Sequence, residues 1–227
     1  MCHKLPMKSP LLDIRAEPPS SATQAESLLC ANVSIEREGL LLINALDFSA
    51  SPGEIWVIQG SNGSGKSTLL KAIAGLYPIS FGTITLGAQH LLQHQNYPHN
   101  ILFLGHKQAL KLSMSVYDNV AFWAKLRNTE ELIEAAISYF DLEPYRNMHC
   151  ELLSAGWQQR VVLTRLLTMP SKLWLLDEPM THLDNEGIAL MQSLIVSRTE
   201  QQGIVLMSSH AKIQSDKVKI LNLNNLN

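Results

Sequence analysis

"GSNGSGKST", residues 60–68, sets three glycines, a lysine and two adjacent hydroxyls into nine positions. The run fits G-x-x-x-x-G-K-[ST], a loop in which glycines let successive backbone N–H groups turn inward around phosphates. The preceding "IWVIQG" (55–60) is strand-like. In the following "STLLKAIAGLY" (67–77), Leu69, Leu70, Ile73 and Leu76 fall at helical spacing, and Pro78 marks the predicted end. Strand, glycine loop and helix in that order place the positive end of a helix dipole behind the loop. Gly60, Ser61, Asn62, Gly63, Ser64, Gly65, Lys66, Ser67 and Thr68 are therefore the candidate phosphate site. Lys66 reaches toward the β- and γ-phosphates as a point charge, and the Ser67 hydroxyl is a candidate ligand for Mg²⁺.

Working outward, "LLCANVSIE" (28–36) and "GLLLINALDFSA" (39–50) read as strands, and "SPGE" (51–54) reads as a turn. Residues 1–27 are rich in Pro, Ser and Ala without a helical or strand period and read as a flexible N-terminal arm. Between about 107 and 167 the pattern is helical. Trp123 and Leu126 share a face of "SVYDNVAFWAKL", and Asn128 with Glu131 reads as a cap for "TEELIEAAISYF". "KLWLLD" (172–177) and "GIVLMSS" (203–209) are continuous apolar runs, the pattern of parallel strands buried on both faces.

Asp177 closes the first of these runs, so its carboxylate stands at the carboxyl end of a strand, where it can hold Mg²⁺ through water. Glu178 follows and is placed to polarise an attacking water. Alone, "DEP" also reads as a helix start, and the upstream loop decides between the two. His210, in "SSH", sits at the end of the second run, where a neutral imidazole can bond a γ-phosphate and hold Glu178. "LSAGWQQR" (153–160) has no acid, cysteine or histidine. Its serine is a helix N-cap with free N–H groups behind it, which makes an anion site without a charged side chain.

Bulk properties narrow the classes. The chain has 227 residues, 46% hydrophobic, enough for a core, with a net charge of -2 and no basic stripe for nucleic acid. Only 17% of residues are charged, which points to surface covered by partners. Cys2, Cys30 and Cys150 are odd in number and far apart, which argues against a disulfide framework and for a reducing compartment. No apolar run approaches the roughly 18 to 20 residues that span a bilayer, and the N-terminus lacks a signal peptide's apolar stretch. A cytoplasmic chain is expected, held at any membrane by other chains. "QHLLQHQNYPH" (89–99) carries His90, His94 and His99 without cysteine or carboxylate partners and reads as a solvated loop, so no haem site is assigned.

The succession of phosphate loop, "LSAGWQQR", "LWLLDEP", "THLD" and "SSH" resembles the nucleotide-binding subunit of ABC transporters from about residue 28 to the C-terminus. The resemblance implies an α/β fold: a P-loop NTPase (RecA-like) core of mostly parallel sheet, an antiparallel N-terminal β part and an inserted α-helical subdomain. It also implies ATP and Mg²⁺, and a homodimer formed on ATP binding, with Ser154 and Gly156 facing ATP in the loop of a second copy and Asp184 at the interface. Within the family, "LSAGWQQRVVLTRLL", "LWLLDEPMTHLD" and "ILFLGHKQALKLSMSVYDNV" look most like the haem exporter type, which serves bacterial cytochrome c maturation. That implies a polytopic membrane subunit as partner, and a peripheral place on the cytoplasmic side of the inner membrane. A motor subunit for another cargo, a non-transport ATPase and a P-loop kinase are the alternatives; the last would not need "LSAGWQQR".

The chain departs from the family in three places. Lys107 falls where the coupling-loop glutamine stands, with Gln108 one residue late; Trp157 replaces the glutamine after the signature glycine. No aromatic lies where adenine is often stacked. Arg37 is near that place and can stack by its guanidinium plane, so loose base selectivity is expected.

Overall fold

The computed structural model describes residues 26–91, 100–106, 109–209, 213 and 215–225. The N-terminal arm, His94, His99, Lys107, Gln108 and His210 of the preceding section lie outside them, apart from Glu26 and Ser27 of the arm.

Strands β1 (Leu28–Arg37) and β2 (Leu40–Ala50) form a hairpin. Its two-residue loop, Glu38 and Gly39, has φ of 53° and 78°, the left-handed pair that matches strand twist. β1 also pairs antiparallel with β4 (Phe81–Leu86), which pairs with β5 (Gln89–His90), giving the sheet order β2-β1-β4-β5. The pairing shifts between Ala31 and Ser34, where Asn32 takes φ 51°. A Cβ at Gly82 would stand 2.2 Å from the Asn32 carbonyl oxygen, so the irregularity requires glycine opposite it.

The second sheet is parallel throughout. Its order is β6 (Ile101–Leu104), β7 (Leu173–Asp177), β8 (Ile204–Ser208), β3 (Ile55–Gln59), β9 (Val218–Asn222). Every residue of β7 and β8 is buried because the sheet is covered on both faces. Leu173, Leu175, Ile204 and Leu206 join one core with the antiparallel sheet and helix α1 (Lys66–Ile73). Trp174, Leu176, Val205 and Met207 face a second core with α2 (Val116–Arg127), α3 (Ile133–Tyr139), α4 (Ala155–Leu163) and α6 (Asn185–Glu200). The short α5 (Arg165–Thr168) packs there too. The α/β core expected from sequence, mostly parallel with an antiparallel part, is the fold that forms.

Three local expectations are corrected. Helix α1 stops before Pro78: Gly75, at φ 73°, donates to Ala72 O while Leu76 N donates to Lys71 O, the paired bonds of a glycine-terminated helix. Leu76 is consequently 55% exposed and off the apolar face. Asn128 does not cap the helix that follows; at φ 53°, ψ 51° it closes α2. An N-cap needs extended backbone, so the left-handed Asn128 cannot serve as one. Leu126 is exposed, whereas Trp123 lies under the Arg165 guanidinium at 4.3 Å and packs on the core.

Candidate functional site

The carboxyl ends of β3, β8 and β7 stand level, because Ile58 pairs with Ser208 and Ser208 with Asp177. Residues 60–68 leave β3 at that edge and α1 begins at Lys66. Gly65 takes φ 94° at the helix N-cap, and a Cβ at Gly60 would meet Ser64 Oγ at 2.3 Å. Both positions therefore need glycine for the loop to turn this tightly. Lys66 Nζ donates to the carbonyls of Gly60 at 2.8 Å and Ser61 at 3.0 Å, curling back over the loop. The buried Ser64 hydroxyl has no partner among the described residues.

Ser67 and Asp177, 110 residues apart, meet: Ser67 Oγ donates to Asp177 Oδ1 at 3.0 Å. Ser208 Oγ donates to the same oxygen at 2.7 Å and accepts the Glu178 N–H at 3.0 Å. One hydroxyl thus uses its proton on Asp177 and a lone pair on Glu178, tying β7 to β8 where both end. Sequence alone does not single out Ser208. A small hydroxyl closing an apolar run was the available cue, but its partner depends on sheet order.

Asp177 is buried, and Glu178 is half-buried at φ 52°, a left-handed backbone that turns its side chain out of the strand path. Glu178 lines a cleft of about 320 Å³ with His106, Gln158, Gln159 and Thr181, and Thr181 Oγ1 donates to its Oε2 at 3.4 Å. Asp177, Ser67 and Ser208 supply hard oxygen donors without thiolate or imidazole, a set that fits Mg²⁺. Among the described residues no three His, Cys, Asp or Glu side chains gather as metal ligands. His90 lies exposed in β5.

Ser154 caps α4 with extended backbone, its Oγ accepting Trp157 N–H at 3.5 Å, and it is exposed. Gly156 packs against the following motif: a Cβ there would stand 2.8 Å from His182 O. Gln159 Nε2 donates to Pro179 O at 2.8 Å, a second tie from α4 to the segment after Glu178. Asp184 caps α6 by accepting the Gly187 N–H at 2.8 Å and also accepts from Arg160. Arg160 and Gln159 were not singled out from sequence; both are buried polar residues whose partners lie about 20 positions away. The hydrogen bonds of Ser154 and Asp184 stay within their own helix starts and Arg160, and both residues are exposed. Arg37 is exposed at the hairpin end and pairs with Glu38 at 3.4 Å. Among the described residues no helix is long and apolar enough to cross a membrane.

Comparison with known proteins agrees with this arrangement. The family model described as "ABC transporter" matches residues 43–181. A "Cytochrome c biogenesis ATP-binding export protein CcmA" of Wolbachia pipientis wMel is 40% identical over 188 residues, 82% of this chain and 91% of that protein. The protein of the same name in Rickettsia felis is 38% identical over 191 residues, 84% of this chain and 95% of its own. Among solved structures, cbiO1 of Clostridium perfringens, part of the ABC transporter complex cbiONQ, superposes with a TM-score of 0.70 at 23% identity, covering 88% of this chain and 86% of that one. That likeness speaks for the fold. The phosphate loop, the carboxylate at the end of β7, the family match and the identity to full-length relatives converge: the chain belongs to the ABC transporter family, as an ATP-binding subunit.

Proposed function

We propose that this ABC ATPase subunit serves cytochrome c biogenesis as part of a haem exporter-type complex, with ATP turnover driving a polytopic membrane partner at the cytoplasmic face of the bacterial inner membrane. The observation that carries the ATPase chemistry is the convergence of the Ser67 and Ser208 hydroxyls on Asp177 Oδ1, with Glu178 as the next residue. The names of the relatives support the pathway.

In this reading Lys66 exchanges the Gly60 and Ser61 carbonyls for the β- and γ-phosphates, and the loop's N–H groups surround them. Ser67 and Asp177 would hold Mg²⁺, which supplies neutralising charge between the phosphates when bound. Glu178 orients the attacking water and takes its proton, and His210, in "SSH", is the candidate to support it. Ser154, Gly156 and the N–H groups at the start of α4 face the ATP of a second copy, and Asp184 joins the two sites across a head-to-tail homodimer. The helical segment of about 107–167, with Lys107 and Gln108 at its entry, is the part that meets the membrane partner. Arg37 takes the place of an aromatic at the base, so ATP and GTP are bound with affinities within about a hundredfold of each other.

The test is covalent c-type haem on stained gels of membranes from cells lacking this chain, complemented with wild type or Lys66→Ala. Haem signal lost in the deletion and restored only by the wild type supports the assignment. Undiminished signal in the deletion overturns it and favours an ABC ATPase subunit for another cargo.

A further inference from the structure

The phosphate loop is also held from outside itself. β9 runs beside β3 in register, with Asn222 opposite Gln59, the residue before Gly60. The chain then makes a 3-10 turn over Leu223–Asn225, anchored by Leu223, which is 1% exposed. Asn222 Oδ1 accepts the Asn224 N–H at 3.0 Å, fixing the backbone of the turn. Asn224 Oδ1 in turn accepts the Ser61 N–H at 3.0 Å and lies 3.4 Å from the Ser61 hydroxyl. The same oxygen would stand 3.4 Å from a Cβ at Gly60.

Ser61 is thus gripped from two sides. Its carbonyl accepts from Lys66 Nζ at 3.0 Å and Ser64 N at 3.1 Å, both inside the loop, while its N–H is held by Asn224 from a segment 163 residues away. A glycine-rich loop loses more conformational freedom than most when it is ordered, and a bond that orders it beforehand removes part of that cost from ligand binding. When Lys66 swings to a phosphate its hold on the Ser61 carbonyl ends, while the Asn224 bond does not depend on Lys66.

We infer that Asn224 is a positioning residue that keeps the mouth of the phosphate loop in its binding shape and thereby sets the affinity for ATP. The inference rests on the phosphate loop being the ATP site. Because the bond involves neither Lys66 nor a reacting atom, its loss raises Kd and KM and leaves kcat nearly unchanged.

The experiment compares wild type, Asn224→Ala, Asn224→Asp and Lys66→Ala in MgATP binding, steady-state hydrolysis, and amide exchange at Ser61 without nucleotide. For Asn224→Ala, Kd and KM rise by about three- to tenfold with kcat within about twofold, as expected for one neutral hydrogen bond. Exchange at Ser61 accelerates. Asn224→Asp keeps an acceptor for the Ser61 N–H, so Ser61 stays protected, and at about 0.5 M salt, where the added charge is screened, KM returns to within about twofold of wild type. A wild-type KM in Asn224→Ala overturns the inference, whether or not Ser61 exchange changes, provided Lys66→Ala weakens binding. If Lys66→Ala binds MgATP like the wild type, the phosphate-loop reading itself falls, and the inference with it.

Discussion

Arg160, 3% exposed, donates through Nη2 to both carboxylate oxygens of Asp184, at 2.9 and 3.3 Å. Its Nη1 reaches the Phe140 carbonyl and Asp141, and its guanidinium lies 4.6 Å from the Trp157 ring centre. One buried cation therefore fixes where α6 starts relative to α3 and α4. The Gly187 N–H, followed by Arg160, holds the Asp184 carboxyl below the usual carboxylate range. A depressed folded value stabilises the fold above the unfolded pKa of about 3.9 and loses that contribution as pH falls through the folded value. Asp184→Asn keeps a capping oxygen and drops the charge; Asp184→Ala drops both and is less stable than Asp184→Asn by about 1 kcal/mol. In urea melts the gap between wild type and Asp184→Asn is present at pH 7 and closes below about pH 4. A gap independent of pH removes the charge from the account.

Asp177→Asn tests the metal role. The amide oxygen still accepts a hydroxyl proton, but the carboxylate for Mg²⁺ is gone. Nucleotide binding in EDTA stays near wild type, while Mg²⁺-dependent hydrolysis falls by at least about 100-fold. Calorimetry with and without Mg²⁺ checks the first statement and phosphate release the second. Hydrolysis within about tenfold of wild type places the metal elsewhere.

Glu178→Gln preserves size and the bond its backbone N–H donates to Ser208 Oγ while removing the proton acceptor. ATP binds, hydrolysis slows by about 10²- to 10⁴-fold, and the chain accumulates as an ATP-bound dimer in light scattering. A monomer with bound ATP at high protein concentration contradicts the two-copy arrangement.

Gly156→Ala drives a methyl toward the His182 carbonyl, 2.8 Å from the ideal Cβ position. Forced separation of the start of α4 from the 181–184 segment costs about 1–3 kcal/mol, a fall in Tm of several degrees for a chain of this size. An unchanged Tm shows that this segment yields without cost.

Cys30 and Cys150 are free and buried, and burial pushes their thiols up to about 12 and about 11. Asn119 Nδ2 donates to Cys150 Sγ at 3.3 Å and pulls the other way, less strongly. A thiol raised in the fold contributes stability below its unfolded pKa, about 8.5, and loses it as pH rises through the folded value. Both thiols resist iodoacetamide at pH 8 in the native protein and react once urea unfolds it, as mass spectrometry reads; alkylation of either at the rate of a free thiol counts against this packing.

Short-range cues carried much of this structure into the sequence. The glycine loop, the unbroken apolar runs of β7 and β8, and the serine before α4 each announce themselves within a few residues. β4, β5 and β6 do not: they are short, and their pairing with β1 or β7 is decided far away in the chain. Gly75 and Asn128 mislead because both a proline beyond a helix and an asparagine before one are strong signals, while the left-handed backbone that decides matters is invisible in composition. Ser67 meeting Asp177 follows from motif order. Ser208 between Asp177 and Glu178, and Asn224 on Ser61, follow only from which strands are neighbours.

The level ends of β3, β8 and β7 separate two kinds of sequence change. Spacing between the loop and Asp177 is stored in backbone ladders, so one apolar residue can replace another within these strands and leave the polar edge where it stands. A one-residue insertion inside any of them is different in kind: it slides the strand by one position, exchanges which of the two cores each side chain faces, and carries Asp177 or Ser208 away from its neighbour. The buried strands thus tolerate a change of apolar side chain far better than a change of length.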